Sequence, residues 1–193
     1  MRMYFDAPGA PLREPELHAA RLDGDIVELG LAWIPSDAIE TPELRAASLA
    51  PILDDGLVAI GLTAAWIHGA LAAPPCPVTA QRAMPGGARR AGSRMLRVRD
   101  VPLRAKDQRV LGGVRVSSRE RTLADLAAAI VADGRDASGA LEAAARLAAE
   151  PGLIDAALRA LSERTHVPHG RRIRQWLGAA RHHAAGVQDD VTR

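Results

Sequence analysis

Three observations predict an α+β fold. Short apolar runs with period-two alternation flank glycine turns in the middle of the chain, most clearly at Val110-Leu111-Gly112-Gly113-Val114-Arg115-Val116. Beyond Ala132 only helical periodicity remains. Strand-like and helix-like stretches are therefore segregated instead of alternating, which argues against a parallel βαβ sheet. The organisation expected is a small N-terminal unit over residues 1–56, an α+β domain over 57–183 and a flexible tail over 184–193. In the α+β domain a short antiparallel sheet packs with a helical C-terminal part.

Taken in order, Met1–Pro11 reads as an irregular arm, because Pro8 and Pro11 oppose helix. Glu14–Leu22 has Pro15 in its first turn and Gly24 beyond its end, a helix signature. Asp25–Ile34 alternates around Gly30 and reads as one or two short strands. Pro35-Ser36-Asp37 is a turn. Thr41-Pro42-Glu43 opens a second helix, with Thr41 as N-cap, and Gly56 closes that region. Leu57–Leu71 is the most apolar segment and reads as a long apolar helix, with Thr63 capping Ala64–Ala70. His68 within it has no second histidine at ligand spacing, so a hydrogen-bonded core or boundary histidine is expected.

Pro74–Pro77 is a rigid connector. Pro77–Arg82 and Arg94–Arg99 read as strands, and arginines on one side of the second suit an antiparallel sheet with one wet face. Asp100–Gln108 is a polar connection. Gly112-Gly113 then predicts a tight hairpin, because glycine tolerates positive φ. Ser117-Ser118-Arg119-Glu120 matches a capping box. The helix it opens carries Leu123, Leu126, Ala127 and Ile130 on one face. Arg121 and Asp125, four apart, read as an intrahelical ion pair worth a few tenths of a kcal/mol, with partner contact as the other reading. Three further helices follow: Ala137–Ala149 capped by Asp136, Leu153–Arg164, and Arg171–His183.

The chain has 193 residues, of which 48% are hydrophobic and 3% aromatic. Alanine supplies much of that apolar count, so helix contacts should be close and thin. The single cysteine, Cys76, excludes an internal disulfide and a multi-cysteine zinc site. No membrane-spanning run or signal peptide is evident, and a cytoplasmic location is expected. The net charge of +2 is unevenly spread. Residues 1–60 carry four arginines against eleven acids, a net of −7. Residues 82–121 carry twelve basic groups against three acids, a net of +9. Only the middle third has an electrostatic preference for a polyanion; a solvated arginine-rich face is the alternative.

Several chemistries fail on residue identity. The chain holds no Gly-Lys-Ser/Thr phosphate loop, no G-x-S-x-G and no H-E-x-x-H. Its one lysine, Lys106, follows Arg104 where a D…(D/E)-x-K nuclease site needs a carboxylate. His166 with His169, or His182 with His183, lack the acids or thiols that complete a metal site. No catalytic residue, metal or cofactor is expected, and an enzyme is the weakest class.

Two motif segments carry a resemblance. They are Leu62-Thr63-Ala64-Ala65-Trp66-Ile67-His68-Gly69 and Gly113-Val114-Arg115-Val116-Ser117-Ser118-Arg119-Glu120-Arg121-Thr122-Leu123-Ala124-Asp125-Leu126. Gly170-Arg171-Arg172-Ile173-Arg174 adds a third. In order and spacing they resemble the AbiEi-type antitoxins of type IV toxin–antitoxin systems, over residues 57–178. The motif positions are Thr63, Trp66, His68, Gly69, Arg121, Thr122 and Asp125. The resemblance implies a non-catalytic antitoxin that counters a cognate nucleotidyltransferase-like toxin, directly or indirectly. It also implies a winged-helix part that binds operator DNA and represses the operon. Residues 17–37 resemble only the end of such a winged domain, a truncated remnant. Its wing carries Asp23, Asp25 and Glu28, where phosphate contact wants arginine. Arg89, Arg90, Arg94, Arg97 and Arg99 are therefore the candidate DNA-binding residues. The alternative reading is a DNA-binding transcriptional repressor with no toxin to counter.

Overall fold

A computed structural model describes residues 3–6, 9–84, 93–133, 138–164 and 167–191. Its class is α+β. Among the described residues there are seven α-helices, a two-stranded antiparallel sheet and a five-stranded mixed sheet.

The N-terminal unit follows its local signals. Helix α1 spans Glu14–Leu22, and the Glu16 carboxylate accepts the Arg13 N–H at 2.6 Å. Strands β1 (Ile26–Leu29) and β2 (Ala32–Pro35) form a hairpin turning at Gly30, whose φ is +60°. Tyr4 of the arm bridges to Trp33 on β2. Helix α2, Pro42–Ala47, starts at Thr41, whose Oγ1 accepts the Leu44 N–H at 3.3 Å.

The apolar segment that follows departs from expectation. Leu57–Ala59 is strand β3, and only Gly61–Ile67 is helix α3. Periodicity cannot separate a short buried strand from a buried helix turn. Here β3 lies at the centre of the sheet, and Gly61 turns the chain with φ +56°. Thr63 is consequently not an N-cap; it sits inside α3, where its Oγ1 accepts the Thr79 N–H at 2.8 Å.

Strands β4 (Val78–Arg82), β5 (Leu96–Pro102), β6 (Gln108–Leu111) and β7 (Val114–Ser117) complete the sheet, in the order β5-β4-β3-β7-β6. The expected all-antiparallel sheet is corrected, because β4 pairs parallel to β5 and β3 pairs parallel to β7. Residues 83–95 provide the dozen-residue connection that a parallel neighbour needs. The β6–β7 hairpin agrees with its Gly-Gly signal, both glycines having positive φ, +52° and +82°. Gly112 is required for a second reason. A Cβ there would stand 2.1 Å from the Glu43 carbonyl oxygen of α2.

Helix α4 spans Arg119–Asp133, then α5 Ser138–Ala148, α6 Leu153–Ser162 and α7 Gly170–Val191. The capping serine of α4 is Ser118, which accepts the Arg121 N–H at 3.3 Å. Ser117, expected in the capping box, ends β7 instead. The tail expected from Ala184 remains helical to Val191, as part of α7. Asp136, expected to cap α5, lies outside the described residues.

Two apolar clusters organise these elements. One is helical: Leu123, Leu126 and Ala127 of α4 meet Ala143 and Leu147 of α5, Ala157 and Leu161 of α6, and Ile173 and Leu177 of α7. The other lies on one face of the sheet, around Ala59, Ala80, Leu96 and Val116, with Trp66 and Ile67 of α3. It also contains Leu29, Ile34, Ala46 and Leu49. The boundary at residues 56 and 57 therefore runs through a shared core.

Candidate functional site

The motif residues build a junction between the sheet and the helices. Trp66 is 1% exposed, and Thr63 and Thr122 are fully buried. His68 is the C-cap of α3, and Gly69 follows with φ +87°. Gly69 N–H reaches the Trp66 carbonyl and Ala70 N–H the Ala65 carbonyl, at 2.9 and 2.8 Å. That is a Schellman helix end, in which a left-handed residue after the cap satisfies the orphan carbonyls. The motif glycine therefore serves helix termination.

The His68 ring joins α3 to β7, its Nε2 lying 2.8 Å from the Ser117 carbonyl oxygen. With an acceptor opposite, Nε2 carries the proton. Burial lowers the pKa of His68 below its ordinary 6.5, the Ser117 carbonyl opposes that, the Arg119 charge lowers it further, and Glu120 opposes. The fold thus prefers the neutral ring. Stability contributed by that preference is complete above about pH 6.5 and is lost as pH falls through that value toward the folded-state pKa. Urea denaturation midpoints should drop between pH 7.5 and pH 5, and the drop attributable to this ring should vanish in His68→Gln. An unchanged pH profile in that variant would remove His68 from the acid response.

Arg119 and Arg121 tie the same junction to its neighbours. Arg119 donates to the His68 carbonyl at 2.6 Å and to Glu150 at 3.0 Å. Thr122 Oγ1 lies 2.8 Å from Ser117 Oγ. Arg121 Nε pairs with Asp125 at 2.8 Å, as its spacing predicts, but Arg121 NH1 also pairs with Asp107 at 2.9 Å. Asp125 in turn meets Arg164 at 3.3 Å. The side chains of Arg121 and Asp107 are each 9% exposed. The expected exposed intrahelical pair is therefore one edge of a largely buried network. Asp107, Ser117, Arg119 and Arg164 are the members that spacing did not reveal; their partners lie 14 to 51 residues away.

The same connection is braced from outside. Arg104 donates to the Glu163 carbonyl at 2.9 Å, and Lys106 pairs with the Glu163 carboxylate. That lysine, through its hydrogen bond and then its charge, holds the Glu163 pKa below the ordinary carboxylate value, against desolvation.

The candidate DNA-binding arginines form a separate, exposed surface. Arg97 and Arg99 project from edge strand β5, opposite Thr79 and Gln81 in register. Arg94 is exposed just before the strand, and Arg115 of β7 is half-exposed on the same face. Among the described residues, no acid pairs with Arg94, Arg97 or Arg99. Arg89 and Arg90 lie outside the described residues. His169 lies just before α7; His166 falls outside the described residues, and nothing is described of the His182 and His183 side chains. Among the described residues no group of three His, Cys, Asp or Glu could hold a metal, and no helix is long and apolar enough to cross a membrane. What the arrangement provides is a polar-stapled junction, with Arg97 and Arg99 on β5 meeting no acid among the described residues.

No protein-family model matches the chain, and no curated protein matches it. Among solved structures it is similar to the RV2827C protein from Mycobacterium tuberculosis, at 21% identity and a TM-score of 0.47. The similarity covers 86% of this chain and 65% of that one.

Proposed function

We propose that the chain is a non-catalytic antitoxin-type protein of the AbiEi kind, which counters a nucleotidyltransferase-like toxin. The supporting observation is convergence. The Thr63–Gly69 segment and the Gly113–Leu126 segment, some fifty residues apart in sequence, meet at His68, Ser117 and Arg119. The resemblance in sequence is thus one of a single three-dimensional unit instead of scattered short matches. A growth assay tests it: express the neighbouring gene alone, then together with this chain. Arrest by the neighbour and rescue by the chain are expected. A harmless neighbour, or one that is not rescued, rejects the reading.

A second reading, a DNA-binding repressor, is favoured by Arg94, Arg97 and Arg99 on and before β5. Each phosphate neutralised adds about 0.9 to the slope of log affinity against log salt. Three contacts predict a roughly 40-fold loss of duplex affinity between about 50 and 200 mM salt. Arg97→Glu with Arg99→Glu should abolish the salt-dependent component and leave the melting temperature unchanged, since both side chains are exposed. Unchanged affinity in that variant rejects the basic strand as the DNA contact.

A further inference from the structure

Two surfaces of this chain match in pattern and oppose in charge. Arg97 and Arg99 project from β5, with Met95 just before the strand and Val101 in the register shift after Arg99, 47% and 61% exposed; Asp100, between Arg99 and Val101, pairs with Arg82. At the corner from α1 into β1 stand Leu22, Asp23, Asp25 and Val27, with Leu22 86% and Val27 41% exposed. Each surface is thus a pair of like-charged groups with two exposed apolar side chains beside it. Among the described residues, no opposite charge pairs with Arg97, Arg99, Asp23 or Asp25. Glu28, beside that corner, pairs with Arg21 at 3.8 Å.

Local stability does not account for the acidic corner. Asp23 is the C-cap of α1. A carboxylate there faces the negative end of the helix dipole, where a cation would be favoured. Nor would a phosphate backbone satisfy the whole β5 row, since it would use the arginines and leave Met95 and Val101 in water. An acidic surface carrying its own apolar side chains covers all four. The N-terminal unit, with its net of −7 over residues 1–60, is such a surface.

We propose that β5 of one copy docks on the α1–β1 corner of a second copy, Arg97 and Arg99 against Asp23 and Asp25. The contact is heterologous, so each copy offers one basic and one acidic surface, and copies join head to tail in a ring or an open chain. A β5-to-β5 contact would instead oppose like charges. Neither surface uses the buried junction, so this contact is independent of the antitoxin reading.

Sedimentation velocity of the full chain, over a concentration series at low and high salt, tests it. The screening length falls from about 30 Å at 0.01 M to about 8 Å at 0.15 M salt. The mean mass should exceed that of the monomer at low salt, rise with concentration, and fall toward the monomer as salt is added. Arg97→Glu with Arg99→Glu should be monomeric, and so should Asp23→Lys with Asp25→Lys. An equimolar mixture of these two variants should associate again. The native acidic corner of the first then meets the native basic row of the second, and the two reversed rows attract as well. Melting temperatures near that of the unaltered chain show that the variants fold. A monomer at every concentration in low salt overturns the proposal, as does association that survives either reversal.

Discussion

Arg121→Ala should lower folding stability by about 3–5 kcal/mol, the range for removing one partner of a buried ion pair. The side chain spans two acids, Asp107 at 2.9 Å and Asp125 at 2.8 Å. Asp107 is 9% exposed, so losing the guanidinium leaves a carboxylate with little access to water. Asp125→Ala should cost far less, about 1 kcal/mol. Its side chain is 21% exposed, and Arg121 keeps Asp107 when it is gone. The contrast between the two variants is the informative quantity. Replacing both buried partners, Arg121→Met with Asp107→Leu, should recover much of the loss, because no uncompensated charge then remains. Denaturant titrations of the three variants provide the check. Equal, small losses for Arg121→Ala and Asp125→Ala would reduce the network to an ordinary surface pair.

Trp66→Ala should cost about 3–5 kcal/mol, from lost transfer energy and the cavity left behind. Trp66 is among the largest fully buried side chains, at 1% exposure. Its ring packs where the N-terminal unit meets the sheet. A Cβ on Gly30 would come within 3.2 Å of it, and the Arg45 guanidinium sits 5.5 Å from its centroid. Arg45 bonds the backbone carbonyls of Trp66 and Leu71, at 2.8 and 2.9 Å, so those bonds persist in the variant. The loss therefore reports the ring. Amides of β1 and β2 should exchange faster in Trp66→Ala, since the hairpin leans on the same cluster through Leu29 and Ile34. A loss below about 1.5 kcal/mol, with β1–β2 protection intact, would mean that the site collapses around alanine and that the ring does not hold the hairpin.

Both predictions concern residues that the sequence marked without disclosing why. Thr63, Trp66, His68, Gly69, Arg121, Thr122 and Asp125 stand out as a spaced motif; Thr63, Trp66, His68, Arg121 and Thr122 are buried, Gly69 ends α3, and Asp125 is a part-buried partner of Arg121. The exposed arginines were legible in a different way. Charge is a property of composition, so the basic middle third could be located by counting, and Arg97 and Arg99 do lie on the outward side of β5.

What the sequence determined by itself was local. Pro15 and Pro42 at helix starts, Thr41 as a cap and Gly112-Gly113 as a hairpin turn all act within a few residues, through φ preference or a neighbouring N–H. The apolar face of α4 follows from a repeat contained in one helix. Tertiary structure decided everything that depends on a distant neighbour. Leu57-Val58-Ala59 became a strand because β4 and β7 flank it and satisfy its backbone groups. β5 became parallel to β4 through a connection long enough to allow it. Arg121 acquired Asp107 because the turn before β6 carries that carboxylate beneath α4. In each case the sequence supplied the group, and only the packed chain decided whether water or protein would surround it.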